Sequence, residues 1–127
     1  MLRCWSRLAA RIADGRASGF IAEGERGDLA GALSVAHEDT PPSRGNPAGR
    51  QSYLFGLWVA KRARRRGIAR ALVTAATERS QSLGEGAVTL FASDEGRLVY
   101  EQMGFHASPH MRIFFAPLDD PDAGKGR

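Results

Sequence analysis

The sequence predicts a mixed α/β domain, and three observations support this class. Residues 19–36 contain two β-compatible segments on either side of a glycine-bearing polar turn, which is typical of an antiparallel hairpin. Residues 51–59 form the longest apolar strand segment. An amphipathic helix and a short apolar strand at residues 87–92 follow, and strand, helix and strand in that order predict a parallel βαβ unit.

Composition and length limit the class further. The 127 residues suffice for one domain with one core, and we expect residues 1–127 to form it. The fractions of 43% hydrophobic and 25% charged residues are those of an ordinary globular protein, and no apolar run is long enough to span a membrane. The single cysteine, Cys4, excludes an internal disulfide and suits a reducing compartment, so we expect a cytoplasmic protein.

We expect no metal site. Cys4 alone excludes a cysteine-rich zinc site, and His106 and His110 are separated by Pro109, which opposes the helical geometry that ligands four residues apart need. The formal net charge of +4 allows a nucleic acid or a small anionic ligand, and composition does not choose between them.

The first half of the chain begins with a predicted amphipathic helix at residues 1–14, where apolar residues recur at helical spacing beside a stripe of arginines. Such a start also resembles a mitochondrial transit peptide, although those segments usually run longer and richer in serine. Strands at residues 19–23 and 30–36 follow. The proline- and glycine-rich residues 40–49 predict a surface loop before the central strand.

The central strand is predicted to contain an irregularity at Gly56, because glycine inside a strand indicates a β-bulge or a close ligand. A helix is predicted to begin at about Gly67 and to stop at Gly84.

The last part of the chain is predicted to form a second helix, with Ser93 as its N-cap and a left-handed stop at Gly104 followed by Phe105. Residues 111–115 predict a final strand, and residues 119–127 a frayed tail.

The transition from strand to helix at residues 59–72 predicts an anion-binding site. The first turn of a helix has N–H groups without intrahelical partners, and its dipole favours negative charge. Gly67 would let the backbone approach a bulky ligand, because no Cβ is in the way. Four arginines add positive charge: Arg64, Arg65, Arg66 and Arg70. A solvated basic turn is the alternative, but the adjacent glycine and helix start favour a phosphate site.

Two segments together resemble the GCN5-related N-acetyltransferase (GNAT) family. Residues 64–69, Arg-Arg-Arg-Gly-Ile-Ala, match the family's acetyl-coenzyme A (acetyl-CoA) signature, (Gln/Arg)-x-x-Gly-x-(Gly/Ala). Residues 90–105 resemble its second half, in which a helix carrying tyrosine ends in Gly-Phe. The segment Ala-Ser-Asp-x-Gly-Arg and the proline-rich loop are similar to one bacterial branch. The resemblance runs from about residue 19 to about residue 115.

The resemblance implies an acyl-CoA acyltransferase fold with a central, mostly antiparallel sheet that is splayed at one parallel strand pair. Members usually begin with a strand and one or two helices. Since little but residues 1–14 precedes the first hairpin, we expect the first strand to be missing here. A truncated start, a partner subunit that completes the site and a loss of acetylation are the open explanations.

The resemblance also implies a site. The cofactor-binding residues would be Leu57, Trp58, Val59, Arg64, Arg65, Arg66, Gly67, Ile68, Ala69, Arg70 and Ser93. The Val59 N–H would lie near the thioester oxygen, and the N–H groups of residues 65–70 would hold the pyrophosphate. Ser93 stands where many members have an asparagine that contacts the pantetheine. Tyr100 stands where members place the catalytic tyrosine that protonates the departing thiolate.

The implied function is direct transfer of an acetyl group from acetyl-CoA to a primary amine of a small molecule or protein. A phenol with a pKa of about 10 can give a proton to a thiolate of similar basicity, and a backbone N–H can stabilise the oxyanion. The general base stays open, with Glu38 and Asp39 as candidates beside a water chain or no base at all.

Two other functions stay open. A non-catalytic acyl-CoA-binding module is compatible with the short N-terminus. A nucleic-acid-binding protein is disfavoured, because the sequence has no basic face interleaved with aromatic residues. We expect neither a nucleic acid nor a membrane as partner, and a homodimer through Phe114, Phe115 and the N-terminal helix remains an option.

Overall fold

The mixed α/β class predicted from the sequence is confirmed. The computed structural model describes residues 3–7, 16–24 and 26–116. The chain divides into two compact units, Met1–Leu90 and Phe91–Arg127. In the described residues, the first unit contains a five-stranded sheet and a long helix, and the second contains a shorter helix.

The five strands are neighbours in the sheet in chain order. They are β1 (Arg3–Arg7), β2 (Ala17–Glu23), β3 (Leu29–Asp39), β4 (Arg50–Val59) and β5 (Ala87–Leu90). The first three pairings are antiparallel, and β4 pairs with β5 in parallel. The helices are α1 (Ile68–Ser82), which connects β4 to β5 and packs on the sheet, and α2 (Asp94–Gln102) in the second unit.

The helix predicted at the N-terminus is wrong for Arg3–Arg7, which forms strand β1. This strand pairs antiparallel with β2, with Arg3 opposite Glu23 and Arg7 opposite Gly19. A strand therefore precedes the hairpin, where none was expected. The apolar residues of so short a segment fit the spacing of a helix and that of a strand equally well. The pairing with β2 is what makes this segment a strand. The rest of the predicted helix lies outside the described residues, as does the predicted tail at residues 119–127.

The core of the first unit lies between α1 and one face of the sheet. Burial alternates along β2, as expected for a strand with one covered face. The buried apolar side chains of β2, β3 and β4 include Phe20, Ala22, Leu33, Val35 and Leu54, and those of α1 are Ile68, Leu72, Val73 and Ala76. Burying each of the larger ones stabilises the fold by roughly 1.5–3 kcal/mol.

Gly31 on β3 lets α1 lie close to the sheet. A Cβ at this position would come within 2.9 Å of the Trp58 carbonyl oxygen and 3.0 Å of the Ile68 Cγ2. Since Ile68 is the first residue of α1, this glycine helps to set where the N-terminus of the helix lies. Sequence reasoning did not identify Gly31, because nothing local distinguishes it from other strand glycines.

The loop between β3 and β4 is exposed along most of its length, as predicted, and the buried Asn46 organises it. The Asn46 Nδ2 donates to the Arg50 carbonyl at 3.2 Å, and its Oδ1 accepts from the Gly49 N–H at 3.2 Å. These bonds close the loop before β4 begins.

In the second unit, α2 begins and ends as predicted. The Ser93 Oγ accepts the Gly96 N–H at 3.1 Å, which satisfies one free donor of the first turn. Gly104 has a φ of 101°, and the Phe105 N–H donates to the Tyr100 carbonyl at 3.0 Å.

The strand predicted at residues 111–115 is not observed. This segment has no regular secondary structure, and Met111 and Phe115 are 91% and 95% exposed. Strand-forming residue types do not make a strand by themselves, because the backbone needs a neighbouring strand for its hydrogen bonds.

Candidate functional site

A β-bulge interrupts β4 at the glycine that the sequence singled out. Ala32 pairs with Trp58 and Ser34 pairs with Phe55, so β4 contains one extra residue between these pairs. Gly56 lies there with a φ of 65°, a left-handed conformation that favours glycine. The parallel pairing of β4 with β5 ends at Leu54. Beyond the bulge, the edge of β4 that faces away from β3 pairs with none of the described strands.

Val59 presents its peptide groups on this open edge. The Ala60 N–H donates to the Ala30 carbonyl at 2.7 Å, which makes these two residues a hydrogen-bonded pair. Such pairs alternate along an antiparallel ladder, so Val59, opposite Gly31, turns its N–H and C=O away from β3. Its carbonyl accordingly accepts a long hydrogen bond of 3.5 Å from the Arg64 Nε. The Val59 N–H is therefore a donor on the open edge.

The neighbouring residues of the bulged segment are accessible. Trp58 is 46% exposed, and Leu57 is half-buried. Together with Val59, these predicted cofactor-binding residues form the exposed end of the strand that leads into the basic turn.

The turn into α1 contains two left-handed residues. After a short 3-10 helix at Lys61–Ala63, Arg65 has a φ of 66° and Gly67 a φ of 75°. A Cβ on Gly67 would meet no atom within 4 Å. The glycine is thus needed for its backbone conformation, and the space in front of it is open.

The backbone donors of this turn are unused. The first helical bond of α1 runs from the Ala71 N–H to the Gly67 carbonyl at 3.0 Å. Within the described chain, the N–H groups of residues 65–70 have no hydrogen-bond partner. No acidic side chain lies in the first turn of this 15-residue helix. A helix dipole and free N–H donors in this arrangement are suited to binding an anion.

The predicted arginines surround this turn. Arg64, Arg65, Arg66 and Arg70 are all exposed, whereas Ile68 is buried and Ala69 is half-buried. Ile68 thus packs its side chain against the core, while its N–H has no hydrogen-bond partner among the described residues. The signature residues therefore supply backbone N–H donors, and exposed arginine side chains surround these donors.

Arg62 has a different role, which sequence reasoning missed. Its guanidinium pairs with the Asp28 carboxylate at 2.5 Å and donates to the Leu29 carbonyl at 3.0 Å. The hydrogen bond from Arg62 lowers the pKa of Asp28. This exposed pair joins the basic turn to the β2–β3 hairpin.

Tyr100 lies on α2, in the second unit. Partial burial raises the pKa of its hydroxyl above the ordinary value, so the phenol stays protonated at neutral pH. Its ring packs edge-on against Phe105, with centroids 5.9 Å apart. Gly96, one turn earlier, makes room for the ring, since a Cβ there would lie 3.2 Å from the Tyr100 Cε2. A glycine inside a helix was the available signal for this contact.

Two further features are absent among the described residues. No group of three or more His, Cys, Asp or Glu side chains there could hold a metal ion. None of the described helices combines the length and the apolar character that crossing a membrane requires.

Comparison with protein families gives the class. Residues 4–115 match the family model of the acetyltransferase (GNAT) domain. Since this match covers most of the 127 residues, the chain belongs to the GNAT acetyltransferase family. The resemblance found in the sequence is thereby confirmed. A comparison with curated proteins finds no match.

Solved structures of acetyltransferases have the same fold. A GCN5-related N-acetyltransferase from Ralstonia eutropha is 28% identical, with a TM-score of 0.76 over 84% of this chain and 70% of that one. A predicted acetyltransferase with acetyl-CoA from Clostridium acetobutylicum is 24% identical (TM-score 0.72, 82% and 67%). Glucosamine-6-phosphate N-acetyltransferase from Arabidopsis thaliana is 23% identical (TM-score 0.69, 84% and 71%). Because their identity is so low, the similarity to the last two structures shows only a shared fold.

Proposed function

We propose that this protein is an acetyl-CoA-dependent N-acetyltransferase that transfers acetyl directly to a primary amine of a small molecule or protein. One observation carries the proposal: six consecutive N–H groups, at residues 65–70, have no hydrogen-bond partner in the part of the chain that the structure describes, at the turn into α1. A pyrophosphate is the part of acetyl-CoA that such a turn binds, because its oxygens accept several backbone hydrogen bonds at once.

The open edge of β4 supports the position of the pantetheine arm. An extended amide-bearing chain can pair with strand residues that lack a neighbouring strand, as in β-strand addition. Leu57, Trp58 and Val59 form this edge, and the arginines Arg64, Arg65, Arg66 and Arg70 would screen the phosphate charges. Ser93 is the least supported cofactor contact, because its Oγ already caps α2.

The transfer itself needs two groups from the chain. As the amine nitrogen bonds to the thioester carbon, negative charge develops on the carbonyl oxygen, and the Val59 N–H would donate to it. When the carbon–sulfur bond breaks, the sulfur takes a proton, which the Tyr100 hydroxyl would supply. The Tyr100 phenol carries this proton at neutral pH, and the burial that raises its pKa keeps it protonated to higher pH still.

The first test measures binding of acetyl-CoA by isothermal titration calorimetry, followed by release of free coenzyme A with a panel of primary amines. We expect binding, and transfer with at least one class of amine. Binding without transfer to any amine would favour the non-catalytic module instead. No heat and no thermal shift at millimolar acetyl-CoA would reject both.

Tyr100→Phe tests the catalytic assignment. General acid catalysis contributes roughly 10²–10⁴-fold to a rate, so kcat should fall about a hundredfold while the affinity for acetyl-CoA changes little. Steady-state kinetics and calorimetry on the same preparation give both values. Equal losses of kcat and affinity would mean that Tyr100 only shapes the pocket. Tyr53→Phe is the matched control, because Tyr53 stacks on Phe55 in the sheet.

A further inference from the structure

A second polar site lies in the first unit, at the other end of α1. A cavity of about 750 Å³ is bordered there by residues of β2, β3, the end of α1 and the segment before β5, among them Ser18, His37, Arg79 and Glu85. The 15 residues of α1 span roughly 22 Å at 1.5 Å per residue, so this cavity is far from the basic turn. Its volume is within the range of roughly 300–1,000 Å³ typical of small-molecule pockets.

Three side chains on its wall form a hydrogen-bonded chain. The Ser18 Oγ lies 3.0 Å from the His37 Nε2, and the His37 Nδ1 lies 2.8 Å from the Glu85 Oε2. They come from β2, from β3 and from the segment before β5. Ser18 is only 7% exposed, yet it borders the cavity.

Glu85 is held firmly in this chain. Its Oε1 accepts from the Ser52 Oγ at 2.5 Å and the Ser80 Oγ at 2.7 Å. Burial raises the pKa of Glu85, but the hydrogen bonds from Ser52, Ser80 and His37 outweigh it, so the net pKa is lowered. An ionised carboxylate is an acceptor only, and therefore His37 donates from Nδ1. A neutral imidazole with this proton leaves Nε2 as the acceptor for the Ser18 hydroxyl.

Arg79 adds a donor to the same wall. Its side chain borders the cavity, and its Nε is buried without a hydrogen-bond partner among the described residues. A buried N–H without a partner is costly, and if the Arg79 side chain turned toward the cavity, an oxygen of a bound molecule would accept from it.

We propose that Ser18, His37 and Glu85 form a second reactive site, which hydrolyses small carboxylic esters that enter this cavity. Nucleophile, base and orienting carboxylate are linked in the order that activates a serine. The proposal concerns residues remote from the acetyl-CoA turn, and it stands independently of the acetyltransferase function.

The reaction balances with water as the only co-reactant. The Ser18 Oγ bonds to the ester carbonyl carbon as its proton passes to the His37 Nε2, and the Arg79 guanidinium, turned toward the cavity, donates to the carbonyl oxygen. The carbon–oxygen bond to the alcohol breaks, and the alcohol leaves with the proton from His37. Water then attacks the acyl-serine, with His37 again taking and returning a proton, and releases the acid.

Labelling with a fluorophosphonate tests the nucleophile. The probe bonds to an activated serine with loss of fluoride, so intact-protein and peptide mass spectrometry should find one adduct, on Ser18. Ser18→Ala should abolish the adduct, and Ser108→Ala, on an exposed serine outside the cavity, should keep it. Thermal unfolding and circular dichroism verify that both variants are folded. No adduct, or an adduct elsewhere that survives in Ser18→Ala, would overturn the proposal.

Hydrolysis of p-nitrophenyl acetate, without coenzyme A, tests the other two residues. Ser18→Ala and His37→Gln should each lower the rate at least tenfold. Glu85→Gln tests a positioning residue, and it should lower kcat several-fold with KM unchanged. If the folded variants all hydrolyse the ester at the wild-type rate, the three side chains only join the strands to α1, and the proposal is wrong.

Discussion

The polar groups at the two ends of α1 differ in their hydrogen bonding. At the N-terminus, the six backbone N–H groups of residues 65–70 have no hydrogen-bond partner among the described residues, and the space in front of Gly67 is open. At the C-terminal end, Glu85 accepts hydrogen bonds from three side chains that belong to separate segments of the chain. The first end thus presents unused backbone donors, whereas at the second end a carboxylate is hydrogen-bonded by side chains from three segments, beside the Arg79 Nε that has no partner among the described residues.

This difference shows which kind of site is visible in a sequence. The free donors arise from one contiguous stretch, because a glycine in the left-handed conformation precedes the first turn of a helix. The partners at the other end are 19 residues apart for Ser18 and His37, and 48 residues apart for His37 and Glu85. No local pattern predicts that they meet.

The largest expected effect is on stability, and it comes from Gly31, which lies under the N-terminal end of α1. Gly31→Ala would place a Cβ 2.9 Å from the Trp58 carbonyl oxygen, which neither strand can easily avoid. Overpacking typically costs about 1–3 kcal/mol, and we expect the free energy of unfolding to fall near the upper value. Gly45→Ala is the control, since a Cβ there meets nothing within 4 Å. Urea unfolding measures both, and equal stability would mean that α1 shifts to accept the methyl group.

Next in size is the loss of a single backbone donor. Ala69→Pro removes one N–H at the second residue of α1, where proline is tolerated because no helical bond is lost. A hydrogen bond to a charged group contributes about 1.5–3 kcal/mol, so acetyl-CoA affinity should fall about thirtyfold. Ala69→Ser, which keeps the N–H, should bind normally. Calorimetry that finds equal affinities would show that this donor does not contact the pyrophosphate.

A smaller effect separates backbone conformation from side-chain charge. Gly67→Val must adopt a φ of 75°, which costs about 1–2 kcal/mol for a residue with a Cβ, and affinity for acetyl-CoA should fall about tenfold. Arg65→Ala removes one exposed charge and leaves the N–H in place, so its loss should stay below about threefold. A larger loss for Arg65→Ala than for Gly67→Val would mean that charge dominates.

The smallest expected effect concerns Glu85, at the C-terminal end of α1, and is seen in the pH dependence of stability. Because the folded state lowers the pKa of Glu85, its stabilisation is present above the ordinary pKa and is lost as pH falls through the lowered value. Glu85→Gln should therefore reduce the free energy of unfolding by about 1 kcal/mol near neutral pH and flatten its acid dependence. Glu38→Gln, on an exposed carboxylate, is the control. Parallel acid profiles for wild type and Glu85→Gln would contradict this.

Sequence reasoning succeeded where one segment carries the whole signal. The hairpin, the bulge at Gly56 and the cap of α2 by Ser93 depend on residues that are neighbours in the chain. It failed at Arg3–Arg7 and at residues 111–115, where the presence or absence of a pairing strand decides the structure. The spacing of apolar residues shows which side chains share a face. In segments this short, the presence of a neighbouring strand determines whether a strand forms.

By itself, the sequence determined the family and the turn into α1 for which anion binding is proposed, because the signature at residues 64–69 sets the conformation of its own backbone. The tertiary structure alone decided three other features: the open edge at Val59, the close approach of α1 over Gly31 and the contact of Ser18, His37 and Glu85. Each of these depends on how β3 and β4 are registered and on where α1 packs. Register and packing follow from the whole core at once, so no single segment encodes them.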